Sequence, residues 1–308
     1  MMPPVILLGP QSHKPDAGDA LREAGLKGPV ALVTAGYQER ETHEGLLGNL
    51  GVKTVNLTLH ARSEDVFASD AEFAIAYKAR QARLKAQHDM YRIRLDHAFE
   101  AAKAISVRQL ESELMAEERE ASVRVLRNLD SEHLMRSHAV ASAFDLRWKP
   151  SERKVIARHQ KELKKLLEPC EAVVIAGGHV ASLLYRMRLF DVVRLSGKRP
   201  IVAASGGAMV LTERIYLFHD FPPHGTGVAE VLDVGLGLVK DLVVLPDPRH
   251  RLSFEDREGI NRFVRRIAPA ACMAMDDGAR IFAERGKVTR SFVHRLLPSG
   301  EVQAGWVP

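Results

Sequence analysis

Short runs of apolar residues alternate with amphipathic stretches over the first sixty positions of the chain. The runs that predict strands occupy residues 5–8, 30–33 and 54–59. Between them, residues 17–24 and 39–50 have the spacing of helices, and Gly51 is a suitable stop for the second one. Strands that alternate with helices in this way build a parallel sheet. The pattern therefore predicts a β-α-β-α-β unit.

The pattern changes between positions 63 and 149, where glycine and proline are both absent. Apolar residues recur there every three or four positions. This spacing predicts two long amphipathic helices, at 68–104 and 107–144, joined by a turn at 105–106. A third helix is predicted at 151–167. We expect this helical block to pack on the rest of the chain or to form the interface of a homo-oligomer.

Short apolar runs return after position 168 and predict further strands. These runs occupy residues 172–176, 200–204, 242–245 and 271–275. A helix is predicted at 254–267. Gly286 marks the turn of an antiparallel hairpin that pairs residues 280–283 with 287–293.

The domain organisation follows from these three regions. We expect residues 1–62 and 168–308 to form one α/β domain that is split in sequence and shares a single sheet. Residues 63–167 are then a helical region inserted into it.

Composition narrows the class of protein. The 308 residues are 46% hydrophobic and 27% charged, with a formal net charge of +5, as is typical of a globular protein in water. Acidic and basic residues interleave along the helical block, so nucleic-acid binding is the weakest function considered. No apolar stretch is long enough for a membrane span or a signal peptide, so we expect no membrane contact and a cytoplasmic location.

Metal and nucleotide sites have no sequence support. The spacings His-x-x-His and His-Glu-x-x-His are absent, and the glycine-rich runs match neither phosphate-binding fingerprint. Cys170 and Cys272 lack the spacing of a metal site, and we expect them to be reduced, buried thiols. The sequence therefore predicts no metal and no cofactor.

Ser205 is the residue with the clearest chemical meaning. It follows the apolar run at 200–204 directly, and the residues two before and two after it, Ala203 and Gly207, are small. A sharp strand-to-helix turn with a central serine is the nucleophile elbow, in which the two backbones nearly touch. The alternative is an ordinary tight turn in which serine caps a helix.

Four short sequence blocks occur in the same order as in a known group of proteins. They are Val-Val-Ile-Ala-Gly-Gly at 173–178, Ala-Ser-Gly-Gly-Ala at 204–208, Gly-Leu-Gly-Leu at 235–238 and Met-Asp-Asp-Gly-Ala at 275–279. Together they resemble the dipeptidase E and cyanophycinase group of serine hydrolases. The resemblance covers the C-terminal half well, the N-terminal strands loosely and the helical block not at all.

The resemblance implies a fold and an activity. The fold is a three-layer, flavodoxin-like α/β arrangement of the class I glutamine amidotransferase type, with a mostly parallel sheet; here a long helical hairpin would be inserted into it. The activity is hydrolysis of a peptide or another small acyl substrate.

The general base is where this chain departs from the group. Counted from Gly-Leu-Gly-Leu, the catalytic histidine of the group falls at or beside Asp247, and a carboxylate is too weak a base for that task. His250 follows three residues later, and a looped turn would bring it to the same place; alternatively, it is a surface residue in a basic loop. In the catalytic interpretation His250 or His179 is the base and Asp277 orients it.

Four further residues complete the candidate site. The backbone amides of Gly178 and Gly206 would hold the oxyanion, because both follow neighbouring parallel strands. His179 replaces the glutamine of cyanophycinases, and its simpler role is to cap the next helix. The resemblance implies that Arg251 pairs with a substrate carboxylate; the alternative is a solvated arginine in a turn.

Two functions of different classes remain open. The first is a serine hydrolase with Ser205 as its nucleophile. The second is a non-catalytic relative that keeps the turn for structural reasons and binds a small ligand or a protein partner. Two further histidines, His219 and His224, lie in a loop that could overhang either kind of site.

Overall fold

The computed structural model describes residues 2–43, 45–108, 112–219 and 227–305. The strands are β1 (Val5–Leu8), β2 (Val30–Val33), β3 (Thr54–Asn56), β4 (Ala172–Ile175), β5 (Ile201–Ala204), β6 (Arg214–His219), β7 (Gly227–Val234), β8 (Leu242–Pro246), β9 (Ala271–Met275), β10 (Arg280–Glu284), β11 (Lys287–Phe292), β12 (His294–Leu296) and β13 (Val302–Ala304). The α-helices are α1 (Ala17–Glu23), α2 (Leu59–Ser69), α3 (Ala71–Ser106), α4 (Ser112–Trp148), α5 (Lys154–Leu167), α6 (Val180–Leu189), α7 (Val192–Ser196), α8 (Gly206–Leu211) and α9 (Arg257–Ile267). Short 3-10 helices occupy Ala35–Arg40, Pro150–Glu152 and Pro248–His250.

The main sheet has seven strands in the order β11-β10-β1-β5-β4-β2-β3. The five strands from β1 to β3 in this order are parallel, and the β10–β11 hairpin joins β1 in the antiparallel direction. Strands from both ends of the chain therefore share this sheet, as predicted. The carboxyl ends of β1, β4 and β5 meet at one edge, where Leu8 is paired with Ala204.

Helices cover both faces of this sheet. Because side chains alternate along a strand, Val5 and Leu7 of β1 face the core formed with α2, α5, α6 and α8. Ile6 and Leu8 face the opposite side, where α1 packs. All four side chains are buried. The predicted three-layer α/β fold with a parallel-rich sheet and a long helical segment is confirmed.

A second sheet holds strands that we expected in the first. Its order is β13-β12-β9-β8, with β8 and β9 parallel. The expectation of a single shared sheet is wrong for these strands. The physical reason is that β10 already occupies the free edge of β1, with Ala283 paired with Val5.

The helical block packs into both cores. Phe73 and Phe144, from α3 and α4, belong to the core of the main sheet. Further along the same two helices, Leu95 and Leu126 pack with β6, β7, α9 and the second sheet. The separation of residues 63–167 as an inserted region stays a prediction.

Two helix predictions differ from the structure. The helix expected at 68–104 is divided, because Asp70 ends α2 and accepts a hydrogen bond from the Phe73 amide (3.1 Å) at the start of α3. The helix expected at 39–50 does not form. Gly45 and Gly48 have φ of 83° and 68° there, and such left-handed backbone interrupts a helix. Within the described ranges, no helix combines the length and apolarity needed to cross a membrane.

Candidate functional site

Ser205 occupies the junction between β5 and α8 with φ 52° and ψ −120°. A residue with a side chain rarely adopts this conformation. Its amide donates to the carbonyl of Leu8 on β1 (3.0 Å), which fixes the turn against the neighbouring strand. The hydroxyl does not cap α8, and among the described residues it has no hydrogen-bond partner. It is therefore free to meet another molecule.

Glycines surround this turn because backbones approach each other closely. A methyl group on Gly177 would lie 3.1 Å from Cβ of Ser205 and 3.3 Å from its Oγ. A methyl group on Gly207 would lie 2.7 Å from the carbonyl oxygen of Ile175. The predicted need for a small residue two positions after the serine, at Gly207, thus has a direct steric cause.

Two residues near Ser205 have backbone amides without an acceptor in the described part of the chain. Gly206 provides the first amide of α8, which has no acceptor inside its own helix. The amide of Gly178 donates to no acceptor in the part of the chain that the structure describes. The two residues are adjacent, since a methyl group on Gly206 would lie 3.1 Å from the carbonyl oxygen of Gly178. Free N–H groups next to a hydroxyl can stabilise negative charge on a carbonyl oxygen.

His179 acts as a helix cap. Its Nδ1 accepts a hydrogen bond from the Ser182 amide (3.1 Å) at the start of α6. The ring is exposed, and its own amide donates to the carbonyl of Gly36 (2.7 Å). Nδ1 is thus occupied. Of the roles considered for His179, its contacts are those of a helix cap.

Gln38 was missed by the sequence analysis. Its φ of 54° and ψ of −124° are almost those of Ser205. Its amide nitrogen donates to the Ser182 hydroxyl (2.8 Å), which lies 3.1 Å from Nδ1 of His179. The loop after β2 is thereby tied to the Gly177–Gly178 turn. Nothing in the local sequence signals this conformation, because the residue is not glycine or asparagine.

Asp247 and His250 form a pair rather than two alternatives. Asp247 follows β8 with φ 55°, and the 3-10 turn that begins at Pro248 brings His250 back toward it. Nδ1 of His250 lies 2.6 Å from Oδ1 of Asp247, so this nitrogen donates and Nε2 is left for another partner. This hydrogen bond is the main reason that the pKa of His250 is raised above its usual value, and the Asp247 charge contributes.

Asp277 and Arg251 have surroundings of their own, and their predicted roles stay predictions. Asp277 is exposed, and its charge adds to the raised pKa of His250, but the orienting hydrogen bond comes from Asp247. The guanidinium carbon of Arg251 lies 5.7 Å from the centre of the Phe218 ring. Its Nε is buried without a hydrogen-bond partner. Arg251 is therefore packed on an aromatic ring rather than solvated in a turn.

Backbone contacts connect the serine turn to the Asp–His turn. Ser205 is bonded to Leu8, and the next residue, Gly9, donates its amide to the carbonyl of Ala279 (3.0 Å). A methyl group on Gly9 would lie 2.0 Å from the carbonyl oxygen of Asp276, so the two backbones touch. Asp276 directly follows β9, the strand that pairs with β8. In this structure no imidazole among the described residues is hydrogen bonded to the Ser205 hydroxyl.

Two histidines named in the sequence analysis and the question of a metal site remain. His224 and the side chain of His219 are outside the described residues. Within the described ranges, no group of three or more His, Cys, Asp or Glu side chains is arranged to hold a metal ion.

Comparison with known proteins yields a remote structural likeness. No protein-family model and no curated protein matches the chain. A solved structure described as a peptidase from an acI-B1 actinobacterium is similar over 99% of this chain and 97% of that chain, with 14% identity and a TM-score of 0.45. At this level of similarity, the residues of the site itself carry the functional interpretation.

Proposed function

We propose that the chain is a serine hydrolase of the dipeptidase E and cyanophycinase type, which cleaves a peptide or another small acyl substrate. The observation that carries the proposal is the backbone of Ser205, with φ 52° and ψ −120° between β5 and α8. Such a conformation costs on the order of 1–3 kcal/mol in a residue with a side chain. In a nucleophile elbow the same turn raises the hydroxyl above the end of the sheet.

The proposed reaction uses Ser205, two backbone amides beside its turn and the Asp247–His250 pair. Oγ of Ser205 attacks the substrate carbonyl carbon while its proton passes to Nε2 of His250. The carbonyl oxygen takes the electron pair of the broken π bond, and the amides of Gly206 and Gly178 stabilise it. Asp247 holds the imidazole through Nδ1 and stabilises its positive charge.

Collapse of this intermediate completes acyl transfer. The bond from the carbonyl carbon to the leaving group breaks, and the leaving group takes the proton from His250. Water then attacks the acyl-serine, with His250 accepting its proton, and Ser205 is released. The hydrogen bond between Ser205 and His250 has to form when substrate binds, since catalytic hydrogen bonds in free enzymes are often long. The exposed position of His250 in a short turn leaves it room to move.

A fluorophosphonate probe tests the nucleophile. We expect covalent labelling of the wild-type chain and its loss in Ser205→Ala, measured by intact-mass spectrometry. Ser122→Ala, which changes a serine on α4 far along the chain from this site, is the matched control and should label fully. Absence of wild-type labelling from about pH 6 to pH 9 would exclude the hydrolase.

A non-catalytic binding function is favoured by a different observation. The His250 side chain is 70% exposed, and its ring is not hydrogen bonded to the Ser205 hydroxyl in this structure. If the chain is a non-catalytic relative, a substrate-like peptide would bind without being cleaved. Unlabelled protein that still binds peptide in a calorimeter would support this second function.

A further inference from the structure

A cavity lies between α3, β7, α9 and the segment at 252–253, and no residue of the serine turn lines it. Its volume is about 530 Å³, which suits a small organic ligand. Most of its wall is apolar. The residues that matter below are Phe99, Leu126, Val228, Phe263 and Leu296, together with Arg262.

Arg262 is the unusual part of this wall. Its residue surface is only 8% exposed, and its Nε is buried without a hydrogen-bond partner. Among the described residues it forms no hydrogen bond and no ion pair. Its guanidinium carbon lies 4.7 Å from the centre of the Phe99 ring. A buried cation therefore faces the cavity without a counter-charge.

The neighbouring Arg266 is a buried arginine whose guanidinium has hydrogen-bond partners. Arg266, one turn further along α9, is 2% exposed and also lines the cavity. It donates to both carboxylate oxygens of Asp130, at 2.8 and 2.6 Å, and to the Tyr91 hydroxyl at 3.0 Å. Arg266 thus has a carboxylate and further hydrogen-bond partners, whereas Arg262, on the same helix, has no carboxylate partner among the described residues.

The acidic residues around the cavity do not neutralise Arg262. Glu100 pairs with Lys103 (3.2 Å), and Asp256 accepts the Gly259 amide (2.8 Å) at the start of α9. Asp96 lies on the exposed rim and forms no ion pair with Arg262. Burying an unpaired charge is costly, so a ligand that supplies the missing carboxylate gains both the ion pair and the apolar contacts.

We infer that this cavity binds a small organic carboxylate whose apolar body packs on Phe99 and Phe263 and whose carboxylate pairs with Arg262. The inference does not rest on the proposed hydrolase activity, because no residue of the serine turn lines the cavity. Guanidinium and carboxylate pair through two parallel N–H···O bonds, which gives selectivity for an acid over a neutral amide of the same shape.

A pair of isosteric probes tests this selectivity. Isothermal titration calorimetry would compare 1-naphthylacetate with uncharged 1-naphthylacetamide. We expect the acid to bind wild-type protein at least about tenfold more tightly, as a charge-assisted hydrogen bond requires. In Arg262→Gln the two probes should bind equally. Arg257→Gln is the matched control, since Arg257 lies on the same helix, is exposed and does not line the cavity.

Thermal unfolding gives a second readout. Without ligand, Arg262→Gln should melt a few degrees higher than wild type, on the order of the shift that 1 kcal/mol produces, because an unpaired buried cation is removed. Saturating 1-naphthylacetate should raise the Tm of wild type and leave that of Arg262→Gln unchanged. If Arg262→Gln does not fold, Val228→Phe narrows the cavity instead and should weaken binding of both probes. Equal binding of the two probes to wild type, no binding of either, or binding unaffected by these variants would overturn the inference.

Discussion

Ser205 holds a backbone conformation that glycine adopts at much lower cost. We therefore expect Ser205→Gly to be more stable than Ser205→Ala by about 1 kcal/mol, because only glycine relieves the strain at φ 52°. Urea denaturation measures the difference in the free energy of unfolding.

The interior of α4 provides the control for this comparison. At Ser122 the backbone is helical, so glycine should be less stable than alanine there by up to about 1 kcal/mol. Opposite signs at the two serines are expected. If glycine lowers stability equally at both, the turn at Ser205 stores no strain.

His250 sets the pH dependence of the proposed reaction. It must be neutral to accept a proton, and Asp247 raises its pKa, so the labelling rate should rise with pH through a midpoint above about 6.5, the ordinary value. In Asp247→Asn the hydrogen bond to a charged carboxylate is lost, and the midpoint should move to lower pH while the maximal rate falls. Initial rates of fluorophosphonate labelling across a pH series measure both.

Two results would contradict this role. A wild-type labelling rate that does not change with pH would show that His250 is not the base. An unchanged midpoint in Asp247→Asn would show that the pair seen at 2.6 Å does not act on the reaction. His250→Gln should remove the pH dependence altogether.

The sequence indicates the candidate residues better than the contacts that they make. Ser205 could be recognised because a crowded turn requires small neighbours such as Gly207. Small residue types can be read directly from the sequence. The sequence does not show that Asp247 and His250 pair with each other, because the pairing depends on the left-handed backbone at Asp247. Gln38 could not be found at all, since its positive φ depends on tertiary contacts and not on residue type.

At the scale of elements, one buried carboxylate ties the helical hairpin to the rest of the molecule. Asp130 of α4 accepts hydrogen bonds from Arg266 of α9, from Tyr91 of α3 (2.7 Å) and from Tyr216 of β6 (3.1 Å). Asp130 and Arg266 are each 2% exposed. The position of α3 and α4 over the second sheet is therefore fixed by a polar centre inside an apolar core.

Removal of this carboxylate should be strongly destabilising. We expect Asp130→Ala to lower the free energy of unfolding by about 3–5 kcal/mol, because Arg266 is left buried and uncompensated. Glu132→Ala, two residues along the same helix, removes a partly exposed pair with Arg94 (3.0 Å) and should cost less than about 1 kcal/mol. Denaturant titration of both variants measures the contrast, and similar losses for the two would show that the centre is not a structural tie.

Secondary-structure prediction succeeded where one hydrophobic periodicity continued over many residues. It failed where a single residue interrupted the helix. The long helices α3 and α4 follow from sustained three- and four-residue spacing. The divisions at Asp70 and at Gly45 depend on single residues within apolar patterns that continue across them. The second sheet could not be foreseen, because strand patterns such as those of β8 and β9 do not specify which neighbour they pair with.

At the scale of the whole molecule, the helical hairpin carries apolar side chains on its outer surface. On α3, Ile75 and Ile93 are exposed and lie on the same side, since eighteen residues make five turns. On α4, Met135 and Leu146 are exposed at a spacing of about three turns. The predicted homo-oligomer would place these side chains at its interface.

Light scattering after gel filtration tests this prediction. Wild-type protein should elute as an oligomer with a multiple of the chain mass. The double variant Met135→Glu/Leu146→Glu should elute as a monomer with unchanged Tm, because exposed substitutions rarely alter the stability of the fold. A monomeric wild type would contradict the prediction.

The position of β1 has a consequence for how the chain is made. It precedes both of its neighbours in the chain, yet it lies inside the sheet between β5 and β10. Neither partner exists until Ile201–Ala204 and then Arg280–Glu284 have been synthesised. Until β5 has been made, this apolar strand has both edges open, which is an aggregation hazard. The helical hairpin, built from contacts close in sequence, can form early, while the sheet is completed only when the last strands arrive.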